Sequence, residues 1–347
     1  MIVMTAPAVK AFPLNYFGIA FGLTGLAGTW TAASDALEIN RVAANVLWLV
    51  ALAVWLVSLV RYFRGARTAR QVLTDLEHPV LGPFASLAPT TGMLYGAALS
   101  HYAPTAGRVV VLVMFVLGLG VATLFFTRLL VRQRDIDQLH AGYLLPTVAA
   151  GLIGGQSLAT VGLPELGYGS FGVGILMWLL LGALLLGRLA FRPALPAALV
   201  PTLAIFAAPP AVGGNAWFAL EGRPDLFQHA LLGAFVLLIL AQLALVPTYA
   251  RLPFGLGFWA LTFTTAASGT YGIHWLAATG VPGADVLTVV VLVLVTAVIG
   301  WVAAQSVRLV LSGAGRLPRR PRPVHGRTLR SPDREPVPAG HARSATE

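Results

Sequence analysis

Between Pro13 and Leu311 the chain reads as ten apolar stretches of about 20 residues, the length at which an α-helix crosses the hydrocarbon core of a bilayer. They cover 13–33, 41–62, 81–102, 107–129, 143–162, 167–189, 198–219, 226–247, 255–277 and 285–311. Inside hydrocarbon every backbone N–H and C=O must find a partner within the protein, which leaves helices or a closed barrel. Barrel strands show short segments of alternating polarity, and these stretches do not, so they are predicted to be helices. Composition points the same way. The 347 residues are 57% hydrophobic and 10% charged, against about 25% charged in a soluble domain. The mean hydropathy is +0.79. So few charges cannot cover a water-soluble fold of this size.

The stretches are of two alternating kinds. Odd-numbered ones are rich in Gly, Pro, Ser and Thr, and even-numbered ones are mostly Leu, Val and Ala. Small residues let helix backbones approach closely and hydroxyls bond across an interface or into a cavity. The pattern predicts an all-α integral membrane fold of ten helices in five hairpins. An inner ring of odd helices would enclose a central pore, and an outer ring of even helices would face lipid. Pro89, Pro146, Pro201, Pro209 and Pro210 fall inside odd stretches. Proline removes a donor and kinks a helix, which suits a helix beside a polar path. Gly18 and Gly22 form a small-xxx-small pair whose ordinary role is packing and whose sharper role is backbone lining a passage. Thr90, Thr91, Thr147, Thr262, Thr264 and Thr265 are candidate donors to a permeant species, each weighed against a plain packing hydroxyl. The sixth stretch departs from the pattern; its Gly167, Gly169, Gly172 and Gly174 read as a helix start. Gly151–Gly155 lacks the strand-turn-helix setting of a nucleotide loop and reads as packing.

Arginines set the orientation. Arg61, Arg64, Arg67 and Arg70 follow the second stretch, Arg128, Arg132 and Arg134 the fourth, Arg188 and Arg192 the sixth, and Arg251 the eighth. The opposite loops hold Arg41, Arg108 and Arg223. The positive-inside rule then puts both termini in the cytoplasm of a multi-pass cell-membrane protein. Three segments are expected: a cytoplasmic N-terminus at 1–12, a membrane pore domain at 13–311, and a basic, disordered cytoplasmic tail at 312–347. The net charge of +10 belongs to these loops and to lipid headgroups. No groove-reading or base-stacking element accompanies it, so nucleic acid is not an expected partner. Cysteine is absent, which excludes disulfides, thiolate metal sites and cysteine nucleophiles. The first stretch is long enough to be a retained helix rather than a cleaved leader.

The chemistry missing from the stretches is as informative. No Asp or Glu falls in the middle of one; Asp35, Glu38, Asp75, Glu77, Glu165, Glu221, Asp225 and Asp285 lie near ends or in loops. An intramembrane acid marks a proton relay or cation site, and its absence is permissive for anions. Buried basic residues are missing too. An anion path would then rely on hydroxyls, backbone N–H groups and helix termini. His/Asp/Glu clusters with metal spacing and catalytic motifs are absent. No cofactor, metal or enzymatic activity is expected.

Three segments together resemble one family: Phe12-Pro13-Leu14-Asn15-Tyr16-Phe17-Gly18-Ile19; His78-Pro79-Val80-Leu81-Gly82-Pro83-Phe84 leading into Ser86-Leu87-Ala88-Pro89-Thr90-Thr91-Gly92-Met93; and Gly142-Tyr143-Leu144-Leu145-Pro146-Thr147-Val148-Ala149. They look like the tellurite-resistance/dicarboxylate transporter family, which includes plant slow anion channels and a yeast malate permease. The resemblance runs over residues 12–311. It implies ten helices around one pore per subunit, a homotrimer, and a pore blocked by a phenylalanine on the ninth helix. In Phe258-Trp259-Ala260-Leu261-Thr262-Phe263 the position-by-position match is Phe263. Gly18, Gly22, Pro89, Thr90, Pro146, Thr147, Pro209 and Thr262 are the pore-lining candidates. The implied function is a channel or uniporter for small anions such as chloride, nitrate, malate or an oxyanion. The alternative is a proton-coupled carrier of C4-dicarboxylates or tellurite-type oxyanions, for which His274 or Glu221 would titrate.

Overall fold

The computed structural model describes residues 12–66 and 68–312. The expected N-terminal segment and basic tail otherwise lie outside the described residues. Among those residues the chain is all-helical, with eleven α-helices and no strand. They are α1 (Phe17–Ala36), α2 (Val42–Gly65), α3 (Ala69–Leu76), α4 (Leu87–Leu99), α5 (Pro104–Val131), α6 (Ala150–Thr160), α7 (Pro164–Phe191), α8 (Leu203–Glu221), α9 (Leu226–Ala250), α10 (Trp259–Thr279) and α11 (Ala284–Leu311). Six segments are long and apolar enough to cross a membrane: α2, α5, α7, Val200–Glu221, α9 and α11. The ninth stretch of the sequence is α10, because α3 intervenes. Thr68 caps that short helix by accepting from the Gln71 N–H, within a segment that the sequence predicts to be a connection.

Helices α1, α4, α6, α8 and α10 touch in that cyclic order, α10 returning to α1. Helix α2 packs on α1 and α4, α5 on α4 and α6, α7 on α6 and α8, α9 on α8, and α11 on α10 and α1. The burial pattern follows. Of the apolar window in Val200–Glu221, 67% is buried, against 6% in α9. Leu179 and Leu180 of α7, Leu237, Leu240 and Leu243 of α9, and Val293 and Leu294 of α11 are exposed. Apolar faces of that extent need a non-aqueous surround.

Each of the five central helices starts with a tightened turn. Leu14–Tyr16, Gly82–Ser86, Val200–Thr202 and Leu256–Phe258 are 3-10 turns, and α6 follows a 3-10 turn at Ala141–Leu144 and a π turn at Leu145–Ala149. A proline stands at or just before every one of these starts: Pro13, Pro83, Pro146, Pro201 and Pro253. A missing N–H costs nothing in a first turn, where it has no intrahelical acceptor.

Glycine sets the closest approaches. A Cβ on Gly22 would collide with the Thr262 side chain, and one on Gly25 would lie 3.0 Å from the Phe263 ring. These positions let α1 lie against α10. The glycines of α7 divide. Gly167 and Gly174 face Gly155 and Gly151 of α6, while Gly169 and Gly172 meet nothing. The Ser170 hydroxyl donates to the Gly151 carbonyl at 2.8 Å. The sixth stretch is rich in small residues because α7 packs tightly on α6, a reason beyond its being a helix start.

Candidate functional site

Five helices in a ring leave space along their axis, and here it is two cavities. The larger, about 870 Å³, lies among the C-terminal ends of the central helices and is lined by Asp35, Leu99, Thr160, Gly222 and Ala278, among others. The smaller, about 80 Å³, lies among their starts and is lined by Asn15, Phe84, Leu144, Thr202 and Leu256, among others. Phe263 and Val212 line both cavities. The Phe263 ring therefore stands at the partition between them. It stacks on the Phe21 ring of α1, with centroids 3.6 Å apart and planes 16° from parallel.

The lining is almost free of fixed charge. In the larger cavity it holds one carboxylate, Asp35, and one guanidinium, Arg41, and these pair with each other. In the smaller cavity it holds neither. Two histidines, His101 and His274, also face the larger cavity. The Asn215 amide N–H donates to the Ala267 carbonyl at 2.9 Å, and His274 Nδ1 lies 3.1 Å from Asn215 Oδ1.

Gly18, Pro209 and Phe263 lie on these cavities, whereas Gly22, Pro89, Thr90, Pro146, Thr147 and Thr262 line neither. Helix phase is the reason. Gly22 and Thr262 face each other in the α1–α10 contact. Pro89 packs toward Gly118 of α5. Pro146 is buried in the π turn before α6. Most candidate hydroxyls are committed to backbone carbonyls: Thr90 to Ser86, Thr91 to Leu87, Thr262 to Trp259, Thr264 to Ala204 and Thr265 to Leu261. A hydroxyl that spends its proton on a carbonyl can still accept but has no donor left for an anion. Thr147 Oγ1 is buried without a partner.

The segments that carried the resemblance meet at the end where the central helices start. The Tyr143 hydroxyl donates to the Pro79 carbonyl at 2.9 Å and accepts from Arg134 at 3.1 Å. His140, which no sequence motif marks, is buried there. Its Nε2 pairs with the Val80 carbonyl at 3.0 Å, and its Nδ1 accepts from the Gly142 N–H at 3.1 Å. Nε2 therefore carries the proton and the ring is neutral. Burial pushes its pKa down to about 4, against the Val80 bond that raises it; nearby Arg188 lowers it further. Around this clasp, Glu77 bridges Arg128 at 2.7 Å and Arg132 at 3.0 Å. Asp137 takes two bonds from Arg192, which hold its carboxyl below the usual range. So the loops before α4 and α6 are tied to the ends of α5 and α7.

The sequence model of the voltage-dependent anion channel family, SLAC1, matches residues 11–307. The chain belongs to that family. Its members are anion channels and transporters rather than enzymes, and this chain is accordingly a multi-pass membrane protein. It is 30% identical over 273 residues to the tellurite resistance protein TehA homolog of Haemophilus influenzae, covering 76% of this chain and 82% of that one. It is 25% identical over 280 residues to the S-type anion channel SLAH2 of Arabidopsis thaliana, covering 77% and 53%. With the guard cell S-type anion channel SLAC1 of the same plant it shares 23% over 286 residues, covering 76% and 50%. The chain spans about half the length of these two plant relatives.

Proposed function

We propose that this SLAC1-family chain passes small anions such as chloride, nitrate, malate or an oxyanion along the axis of its central helices, through a conduit closed by Phe263. One observation carries the reading: Phe263 borders both axial cavities. A benzyl ring across a narrow apolar bore excludes water and so excludes ions, and its rotation away opens the path. Three features support an anion as the cargo. Among the described residues the lining carries no unpaired carboxylate, since Asp35 is bound to Arg41. The starts of five helices surround the smaller cavity, and helix N-termini carry partial positive charge. The relatives bear anion-channel names.

On this reading the ten helices other than α3 form five hairpins of one membrane-spanning pore domain. Both termini are cytoplasmic, the plasma membrane is the location, lipid surrounds the outer helices, and the subunits assemble as a trimer with one conduit each. Replacing Phe263 with Ala joins the two cavities and leaves an open bore. Anion current through planar bilayers containing the purified variant should exceed wild-type current by an order of magnitude or more, with a reversal potential that follows the anion gradient. A Phe263→Ala chain that inserts normally and conducts no better than wild type rejects the gate. Accumulation of the anion against its own electrochemical gradient, driven by a proton gradient, would favour a coupled carrier instead.

A further inference from the structure

Helix α10 presents one face to the large cavity: Phe263, Ala267, Thr270, His274 and Ala278 all line it. From Phe263 to His274 is eleven residues, three turns, which places His274 about 16 Å along the axis and about 20° around it. His274 thus overlooks the same column of space as the ring below it. Its bonding state follows from its neighbours. Asn215 Nδ2 donates to the Ala267 carbonyl, so the amide is fixed with Oδ1 toward His274. An amide oxygen only accepts. The facing Nδ1 must therefore carry the hydrogen, and in the neutral ring Nε2 is left as a bare lone pair. The hydrogen bond of His274 to described residues runs through Nδ1, which leaves Nε2 unbonded among them, and the Phe218 ring meets the imidazole edge to face at 5.5 Å, fixing its plane.

From this geometry we infer that His274 is the anion-binding residue of the large cavity, and that it holds an anion only together with a proton. A lone pair repels an anion. Once protonated, the same Nε2 becomes a charged donor aimed at the cavity, while Nδ1 keeps its bond to Asn215. Proton and anion are bound as a pair, equivalent to a molecule of weak or strong acid, HX, and each raises the affinity for the other by the same factor. Gln156 of α6 lines the same cavity, so α6 supplies a further amide donor.

The titratable groups on the elements around His274 mostly have partners of their own. On α1, Asp35 is bound to Arg41, and its charge also reaches His274. On α8, Glu221 accepts from Tyr168. On α9, His229 bonds the Asp225 carbonyl and lies against Trp275. On α11, Asp285 sits in the first turn. Just past α4, His101 lines the cavity and is the one that needs a control.

The inference rests on the two cavities being an anion path, and its test does not require the gate to open. Wild-type full-length protein in detergent, weakly buffered near pH 7, is titrated with sodium chloride replacing sodium gluconate at constant ionic strength. Chloride should draw up to about one proton per chain from solution, read with a pH dye. His274→Gln, whose amide N–H can still donate to Asn215, should abolish that uptake, and His101→Gln should leave it intact. Absence of chloride-linked uptake in wild type, or its survival in His274→Gln, overturns the inference.

A second arm uses chloride current through the Phe263→Ala bore. Lowering the pH on the large-cavity side from about 8 to about 5 should raise the current, by no more than about tenfold per pH unit for a single proton. His274→Gln on that background should conduct at pH 8 and lose the rise. A pH-independent current refutes the role of His274 while leaving the conduit standing. Absent current with intact proton uptake refutes the gate while leaving the site standing.

Discussion

The face-to-face contact between Phe21 and Phe263 gives the closure a measurable strength. Offset and edge-to-face aromatic pairs are worth about 0.5–1.5 kcal/mol beyond the area they bury, and a face-to-face pair is worth no more than that. Phe21 is buried in α1 and borders the small cavity, and the rings are 3.6 Å apart. If Phe263 must leave that stack for ions to pass, replacing Phe21 with Leu removes the ring contact and keeps an apolar side chain of similar reach. The equilibrium between closed and open should then move toward open by a few-fold, and by no more than about twelvefold, at tenfold per 1.4 kcal/mol. The readout is mean anion current per inserted channel in planar bilayers. The control is the same substitution made in Phe263→Ala. With no ring left to hold, Phe21→Leu should add nothing there. Two results would defeat the reasoning. One is an unchanged current in Phe21→Leu alone. The other is an equal increment in both backgrounds, which would mean that Phe21 sets the width of the bore rather than the stability of the plug.

Gly22→Ala forces a methyl into Thr262, and overpacking of this kind costs about 1–3 kcal/mol. The melting temperature in detergent should fall, and Thr262→Ala in the same chain should recover part of the loss; strict additivity would deny the contact. His140 predicts a pH dependence of stability. Its folded pKa is about 4 and its reference value 6.5, so above pH 6.5 both states are neutral and nothing changes. Between 6.5 and 4 only the unfolded chain takes up the proton, and stability falls by about 3 kcal/mol in total before levelling off. Unfolding of His140→Gln in denaturant should show that segment of the pH profile flattened, and an unaltered profile would contradict the assignment.

The division of the helices into two kinds was legible in the sequence because its physical cause is local. Close approach demands a missing side chain at the contact, as at Gly22, Gly25 and Gly151, whereas a lipid face demands bulk, as in α9. The sixth stretch misled for the same reason. Its glycines serve a helix–helix contact, and a composition count does not distinguish a ring-facing contact from a cavity-facing wall. The cavity lining was less legible. Whether Thr262 or Phe263 faces the axis depends on 100° of helix phase, and neighbouring positions in one stretch carry similar residues. His140 left no signal at all, because its partners are a backbone carbonyl sixty residues earlier and a nearby N–H. Helix α3 was announced only by Thr68 and Gln71, a cap that is easily lost among arginines. The repeated proline at the five helix starts was present in the sequence, and becomes meaningful once the tightened turns that follow it are seen to gather around one cavity.

That gathering has an electrostatic consequence. The five central helices start around the small cavity and end around the large one, so they run parallel. Each carries about half a positive charge at its start and half a negative charge at its close. The starts meet at the small cavity, where the sum favours an anion without any basic side chain. The closes meet at the large cavity, where the same sum opposes one. There the one guanidinium lining it among the described residues, Arg41, is paired with Asp35, so no described side chain offers a free fixed cation to offset the helix termini. An anion on the axis would be favoured below Phe263 and disfavoured above it unless a positive charge appears above. His274 lies on that side of the ring, on the face of α10 that Phe263 shares. Protonation there is the one change, short of breaking the Arg41 pair or charging His101, that levels the profile along the path. This asymmetry predicts that acid on the large-cavity side alone should increase anion passage, and acid on the other side should not.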